Sequence, residues 1–187
     1  MRESSQRKTE TRQRILDAAG ALFRGHGIDA VGVDAVMHAA GLTHGGFYAH
    51  FPSKEALAAE ASAAALARSA ARWERISQDP DHAAALARII GPYLDFAHVA
   101  ATENGCLLPA LGAEIARRPE ARPGITAALH RMVDALARCL PGRKRERALA
   151  ALSCMVGAVL LARLSEDPDL AAAFLRAARE AIATGAA

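Results

Sequence analysis

A chain of 187 residues can hold one sizeable core, or a small head joined to a larger body. Apolar residues make up 52% of it and aromatics only 4%, so the core must be built from Ala, Leu and Val, which favours helix over sheet. The net charge of +3 and pI near 9.0 permit nucleic-acid binding without demonstrating it, and three widely spaced cysteines (Cys106, Cys139, Cys154) without a CxxC pair exclude a disulfide framework and a cysteine zinc site.

In chain order, every periodic stretch has helical spacing and none alternates as a strand would. Met1 to Arg14 is polar and charged, with no apolar region of the secretory type, and forms a basic arm through Arg2, Arg7, Lys8, Arg12 and Arg14. Ile15, Leu16, Ala19, Leu22 and Phe23 follow on one helix face, closed by Gly25-His26-Gly27, a glycine C-cap signature. A short second helix carries Val33, Val36, Met37 and Ala40 and stops at Gly41. Thr43 is placed to N-cap a third, very short helix on which Phe47 and Phe51 turn inward and His44, Tyr48 and part of His50 turn outward. Pro52 ends it. Ser53 caps a fourth helix running to about Ser77, with Glu55 near its positive end.

After Gln78-Asp79-Pro80-Asp81 the pattern is helix, loop, helix to the end. Ala83 to Val99 reads as one element kinked at Gly91-Pro92, and Leu107 to Arg118 as the next. Ile125, Leu129, Met132, Leu136 and Leu140 make an apolar seam closed by Pro141-Gly142. Arg143 to Leu164 is the most apolar helix, with Leu149, Leu152, Val156, Val159, Leu160 and Arg163 on one side. Its run from Ala148 to Ala162 reads as too short to span a bilayer. A last helix bears Leu170, Phe174, Ala178 and Ile182. The expectation is an all-α protein of about nine helices, three in a head over residues 1–60 and six in a body over 61–187, with no membrane association, cytoplasmic and with reduced thiols.

The string from Gly41 to Lys54 carries the chemistry. A short helix, a glycine turn and a second short helix, at about residues 31–50, form a helix-turn-helix, whose second helix lies in the major groove of DNA. Gly45 and Gly46 let the backbone come close to a partner. Thr43, Tyr48 and His50 can donate to phosphate oxygens, and Lys54 adds a charge at a helix N-terminus. His44 is the best placed for a base edge, and Val33 opens the preceding helix. The four histidines of this region (His26, His38, His44, His50) match no HExxH spacing, so no metal is expected, nor any cofactor. No GxSxG, P-loop or Rossmann string appears, so the chain does not read as an enzyme.

The segment from Thr11 to Glu60, with ILDAAGALF and then AAGLTHGGFYAHFPSKEAL, resembles the DNA-binding head of the TetR/AcrR family of bacterial regulators. Ala40-Gly41, Tyr48-Ala49-His50-Phe51 and Lys54 stand where the family has its alanine-glycine turn, its Tyr-x-His-Phe core and its lysine. The resemblance implies a helical homodimer that binds palindromic double-stranded operator DNA and releases it when a small-molecule inducer enters the C-terminal domain. Two positions depart from the family pattern. Gly32 replaces the threonine that usually opens the second helix, and His38 stands where a basic residue is common.

The segment from Gly105-Cys106 to Ala116 resembles a branch of the family with a Gly-Cys pair here, some members of which sense electrophiles through the cysteine. Cys106 follows a glycine turn at a helix start, where amides can lower a thiol pKa; alternatively it is a small buried hydrophobe. Cys139 and Cys154 read as packing residues. Trp73, Tyr93, Phe96, Cys106, Leu107, Leu111 and Met132 are the expected walls of a ligand pocket, with His98 and Glu114 as polar contacts. The last two helices, rich in Ala and Leu, are expected to form the dimer interface. The reading is therefore an inducer-released repressor; its alternatives are a repressor triggered through the Cys106 thiol, and a helical enzyme or interaction module without DNA.

Overall fold

The computed structural model describes residues 2–185, and the side chains of residues 6–142 and 144–185. Among these residues there is no strand. Nine α-helices follow one another: α1 (Arg2–His26), α2 (Val33–Ala39), α3 (Lys54–Ile76), α4 (His82–Tyr93), α5 (Phe96–Ala100), α6 (Leu107–Ala116), α7 (Arg122–Cys139), α8 (Arg145–Leu164) and α9 (Pro168–Thr184). Between α2 and α3 lies a 3-10 helix, His44–Ala49.

The basic arm is the first part of α1 and not a separate segment; the side chain of Arg2 lies outside the described residues. α1 ends at Gly27, whose positive φ of 86° lets its amide close on the Phe23 carbonyl at 2.8 Å. α2 ends in a Schellman turn. Gly41, at φ 67°, donates to the His38 carbonyl, and Leu42 donates to the Met37 carbonyl, both at 2.9 Å. That turn re-aims the chain into the 3-10 helix. Thr43 occupies its N-cap, but its side chain makes no capping bond, contrary to expectation. Ser53 does cap α3, accepting from the Ala56 amide at 3.1 Å.

The long α3 is the spine of the molecule. Its buried residues Leu57, Ala61, Leu66, Ala70 and Trp73 pack against α1 on one side and, most extensively, against α7 on another. Small side chains at Ala58, Ala61 and Ala65 permit that close approach. Buried residues form one continuous core from Ile15 to Ile182.

Three details of the body differ from the expected pattern. The element over 83–99 is two helices, so seven helices follow the 3-10 segment and not six. The break falls at Leu94-Asp95 and not at Gly91-Pro92. Asp95 accepts from the Ala97 amide at 2.8 Å and starts α5, whereas Pro92 sits within the last turn of α4. The apolar stripe of α8 is also split. Leu152 and Val159 are buried, while Leu149, Leu160, Leu161 and Leu164 are exposed. By length and apolar composition, the 20-residue α8 would suffice to cross a bilayer, although the shorter run within it would not. It packs between α7 and α9 instead.

Candidate functional site

The outward face of the 3-10 helix is held from beneath by Phe47 and Phe51, both fully buried, with ring centroids 5.9 Å apart. The Arg12 guanidinium lies 4.4 Å above the Phe51 ring and pairs with Glu60. Arg14 donates to the Ala40 carbonyl. Two cations expected to reach a partner are thus bound internally, because a helix that continues through the arm lays them over the head's own core.

On this base Tyr48 stands edge-on to Phe47, ring centroids 5.1 Å apart, and is 68% exposed. Thr43, His44 and Gly45 are exposed beside it, and Gly46 and His50 are half-buried. A Cβ at Gly45 would meet nothing within 4 Å, and at Gly46 only ordinary contact with Met37. Neither glycine is needed by the fold of the free chain.

His44 Nδ1 is bonded to Asp34 of α2, a partner not anticipated from sequence because the two lie ten positions apart on separate helices. The buried Nδ1 of His50 has no partner. Lys54 is half-buried, and its Nζ donates to the Asp29 carbonyl at 3.1 Å. Val33 is half-buried against the core, and Gly32 opens α2 without a side-chain cap. The Glu55 carboxyl is held below the usual carboxylate range by its own amide and the Ser53 hydroxyl.

A network ties this head to α6 and to the segments on either side of it. The Ile28 amide donates to Glu114 at 2.9 Å, Arg118 reaches Asp29 at 2.5 Å, and Arg24 Nε donates to the Glu103 carbonyl at 2.7 Å. Glu114 is thus a brace between head and body, not a wall residue of a pocket.

At the other end of α6 is a cavity of about 110 Å³. Of the residues expected to line it, Trp73, Tyr93, His98 and Cys106 do so, joined by Ser69, Arg72, Arg88 and Asn104. The polar members were missed because exposed positions of amphipathic helices carry no periodic signal. Leu107, Leu111 and Met132 are instead sealed in the core, and Phe96 lines a separate cleft with Arg163 and Ala171. The split of the 83–99 element is the reason: it swings Phe96 away from Tyr93.

Within the cavity His98 is doubly committed. Its Nδ1 lies 2.6 Å from the Tyr93 carbonyl, so it must donate, and its Nε2 accepts the Cys106 amide at 2.8 Å. That is the neutral ring, in keeping with a pKa lowered chiefly by burial. Cys106 is at the N-cap of α6, as expected, but its thiol pKa is raised rather than lowered. Burial outweighs the opposing contributions of Tyr93, the Leu108 amide, Arg163 and Arg24. Burial likewise raises the Cys139 and Cys154 thiols.

Residues 15–61 match the family described as bacterial regulatory proteins, tetR family. Over 59 residues the chain is 41% identical to the HTH-type transcriptional regulator AcrR of Shigella flexneri, covering 32% of this chain and 27% of that protein; the matched segment thus spans about a quarter of its relative. The whole chain is similar to a TetR transcriptional regulator from Chloroflexus aurantiacus, with 25% identity, TM-score 0.74 and coverage of 96% and 95% of the two chains. It also shares its fold with Escherichia coli NemR in reduced form, with 19% identity, TM-score 0.76 and coverage of 91% and 96%. The Shigella and Chloroflexus proteins are named as transcriptional regulators, which speaks against the helical-enzyme reading. Residues 15–61 thus carry the DNA-binding head of the tetR family of bacterial regulatory proteins, and the chain as a whole has the fold of TetR-type transcriptional regulators.

Proposed function

We propose that the chain is a cytoplasmic repressor that binds palindromic operator DNA as a homodimer and is released by a small molecule. Residues 1–60 would act as the reading head and 61–187 as the sensor and dimer-forming body. The observation that carries this reading is the face of the 3-10 helix. Tyr48 and His44 are exposed on a short segment anchored by two buried phenylalanines, beside Gly45, where the free chain itself has no need of a glycine. A groove-reading surface needs that combination of rigid support and close approach. His44 would read a base edge, while Thr43, Tyr48, His50 and Lys54 would grip phosphates, with Val33, Gly45 and Gly46 allowing contact.

Dimerisation would use the exposed leucines of α8 and α9, which would place two heads about one DNA turn apart, ~34–36 Å. Release would run along α6, one end of which meets the cavity at Cys106 while the other is braced to the head through Glu114 and Arg118. A shift of α6 would tilt α3 and change the spacing of the heads, and a coupling of ~1–3 kcal/mol is enough. A trigger through Cys106 itself is less well supported, since the thiol is buried and its pKa raised. Cys106→Ser that still responds to inducer would remove it.

The test is selection of bound duplexes from a random-sequence pool, followed by anisotropy titrations. Enrichment of an inverted repeat is expected. Lys54→Ala should weaken all duplexes and reduce the salt slope by ~1, whereas His44→Ala should relax preference at one position of each half-site. Failure to enrich any sequence would overturn the reading.

A further inference from the structure

The cavity between α3, α4 and the start of α6 has features that narrow what it can hold. Tyr93 is only 7% exposed and lines the cavity; its buried hydroxyl makes no hydrogen bond to nitrogen or oxygen and has only the weakly bonding Cys106 thiol to act on it. A thiol is a poor partner for a hydroxyl, so a ligand oxygen that accepts from it is favoured. Burial raises the Tyr93 pKa well above its usual value, so the group offers a proton to an acceptor.

The charge around the cavity has one sign. Arg72 and Arg88 are among its lining residues, and no carboxylate is. Arg88 is paired with Asp79 at 2.9 Å, but Arg72 is exposed and has no partner among the described residues. Behind the floor, Arg163 is fixed by the Val99 and His98 carbonyls at 3.0 and 2.9 Å, leaving a buried guanidinium nitrogen unpaired. Its positive charge acts on both Tyr93 and Cys106.

Size sets a further limit. At about 110 Å³ the cavity suits a small ligand better than a large one. The indole of Trp73 stands edge-on to Tyr93, ring centroids 5.6 Å apart, and with Ile89 gives an apolar wall that suits a short carbon skeleton better than inorganic phosphate.

We propose that this cavity binds a short carboxylate bearing a second acceptor oxygen, such as a three-carbon hydroxy or oxo acid, with its carboxylate at Arg72 and its second oxygen at the Tyr93 hydroxyl. This names the inducer class for the regulator proposed above and rests on that reading. Binding is non-covalent and needs no thiolate, which agrees with the raised Cys106 pKa.

Trp73 is the sole tryptophan of the chain and forms part of the wall, so its fluorescence reports occupancy directly. The full chain is titrated with lactate, pyruvate, propionate, propionamide and inorganic phosphate. Lactate or pyruvate should give a saturable change, with propionate about tenfold weaker and propionamide weaker still. Arg72→Gln, at an exposed position, should weaken lactate and pyruvate by about tenfold or more. Tyr93→Phe should abolish the advantage of lactate over propionate while leaving propionate binding in place. The proposal is overturned if propionamide or phosphate binds as well as lactate, if Arg72→Gln changes nothing, or if no carboxylate gives a saturable signal. Specific DNA enrichment without carboxylate binding would defeat only this ligand class. Carboxylate binding without any DNA enrichment would defeat the repressor reading and leave the site standing.

Discussion

The carboxylate of Glu114, on α6, accepts the backbone amide of Ile28 at 2.9 Å and so closes the loop that follows α1. The contact joins residues 86 positions apart, and it faces Gly27, where a Cβ would stand 3.2 Å from the same carboxylate. Glu114→Ala removes the acceptor and should cost ~1–2 kcal/mol in chemical denaturation, because the Ile28 amide loses its partner. In the proposed mechanism its larger effect is on coupling. Operator affinity without inducer should stay near that of the parent, while the inducer concentration needed for release rises severalfold in anisotropy titrations. An unchanged release curve would show that the brace carries no signal.

Two glycines five residues or fewer apart in the head should respond in opposite ways. Gly41 has φ 67°, and a Cβ there would lie 2.9 Å from Arg14, so Gly41→Ala should destabilise the fold by ~1–2 kcal/mol. Gly45 lacks both constraints. Gly45→Ala should leave melting unchanged or raise stability by ~0.4–1 kcal/mol, yet weaken operator binding, since the added methyl intrudes only when a partner is docked. Thermal melting and anisotropy on the same two variants separate fold from recognition.

The exposed leucines of α8 fall on a stripe, Leu149, Leu160 and Leu164, with Leu161 at its margin and Leu170 of α9 nearby in sequence. Leu160→Glu combined with Leu164→Glu should convert the proposed dimer to monomer in analytical ultracentrifugation, with helicity by circular dichroism retained because these side chains are outside the monomer's core. A double variant that remains dimeric would place the interface elsewhere.

Arg131 of α7 forms a two-pronged pair with Glu74 of α3, at 2.8 and 2.6 Å, and this holds the Glu74 carboxyl below its usual pKa. A carboxyl depressed in the folded state adds stability above its unfolded pKa, near 4.3, and that stability is lost as pH falls through the folded value. Glu74→Gln should therefore lower the melting temperature at pH 7 and leave it close to the parent's at the acid end, once the parent's own carboxyl is protonated. Equal lowering across the whole range would mean that packing, not charge, is what the substitution removes.

Much of the head was legible because its determinants are local. The period of Ile15, Leu16, Ala19 and Phe23, the stop at Gly41, the inward pair Phe47 and Phe51, and the Ser53 cap each depend on a few neighbouring residues. The bonded pair of His44 with Asp34 and the internal use of Arg12 and Arg14 were not legible, because each requires knowing how separate helices cross. In the body, Asp95 could have been noticed as a helix-starting residue, but Gly91-Pro92 gave the stronger punctuation. The placement of Leu107, Leu111 and Met132 in the core, away from the cavity, depends on which face of each helix meets α3.

The sequence by itself determined the helical class, the order of the elements, and a head whose short segment presents Tyr48 and His44, since periodicity and capping are written within a turn or two of each residue. Only the tertiary structure decided that Glu114 braces the head, that the Cys106 thiol pKa is raised and not lowered, and that Arg72 and Tyr93 line one small cavity. Burial, field and hydrogen-bond partnership are properties of what surrounds a side chain, and those surroundings are supplied by segments far away along the chain.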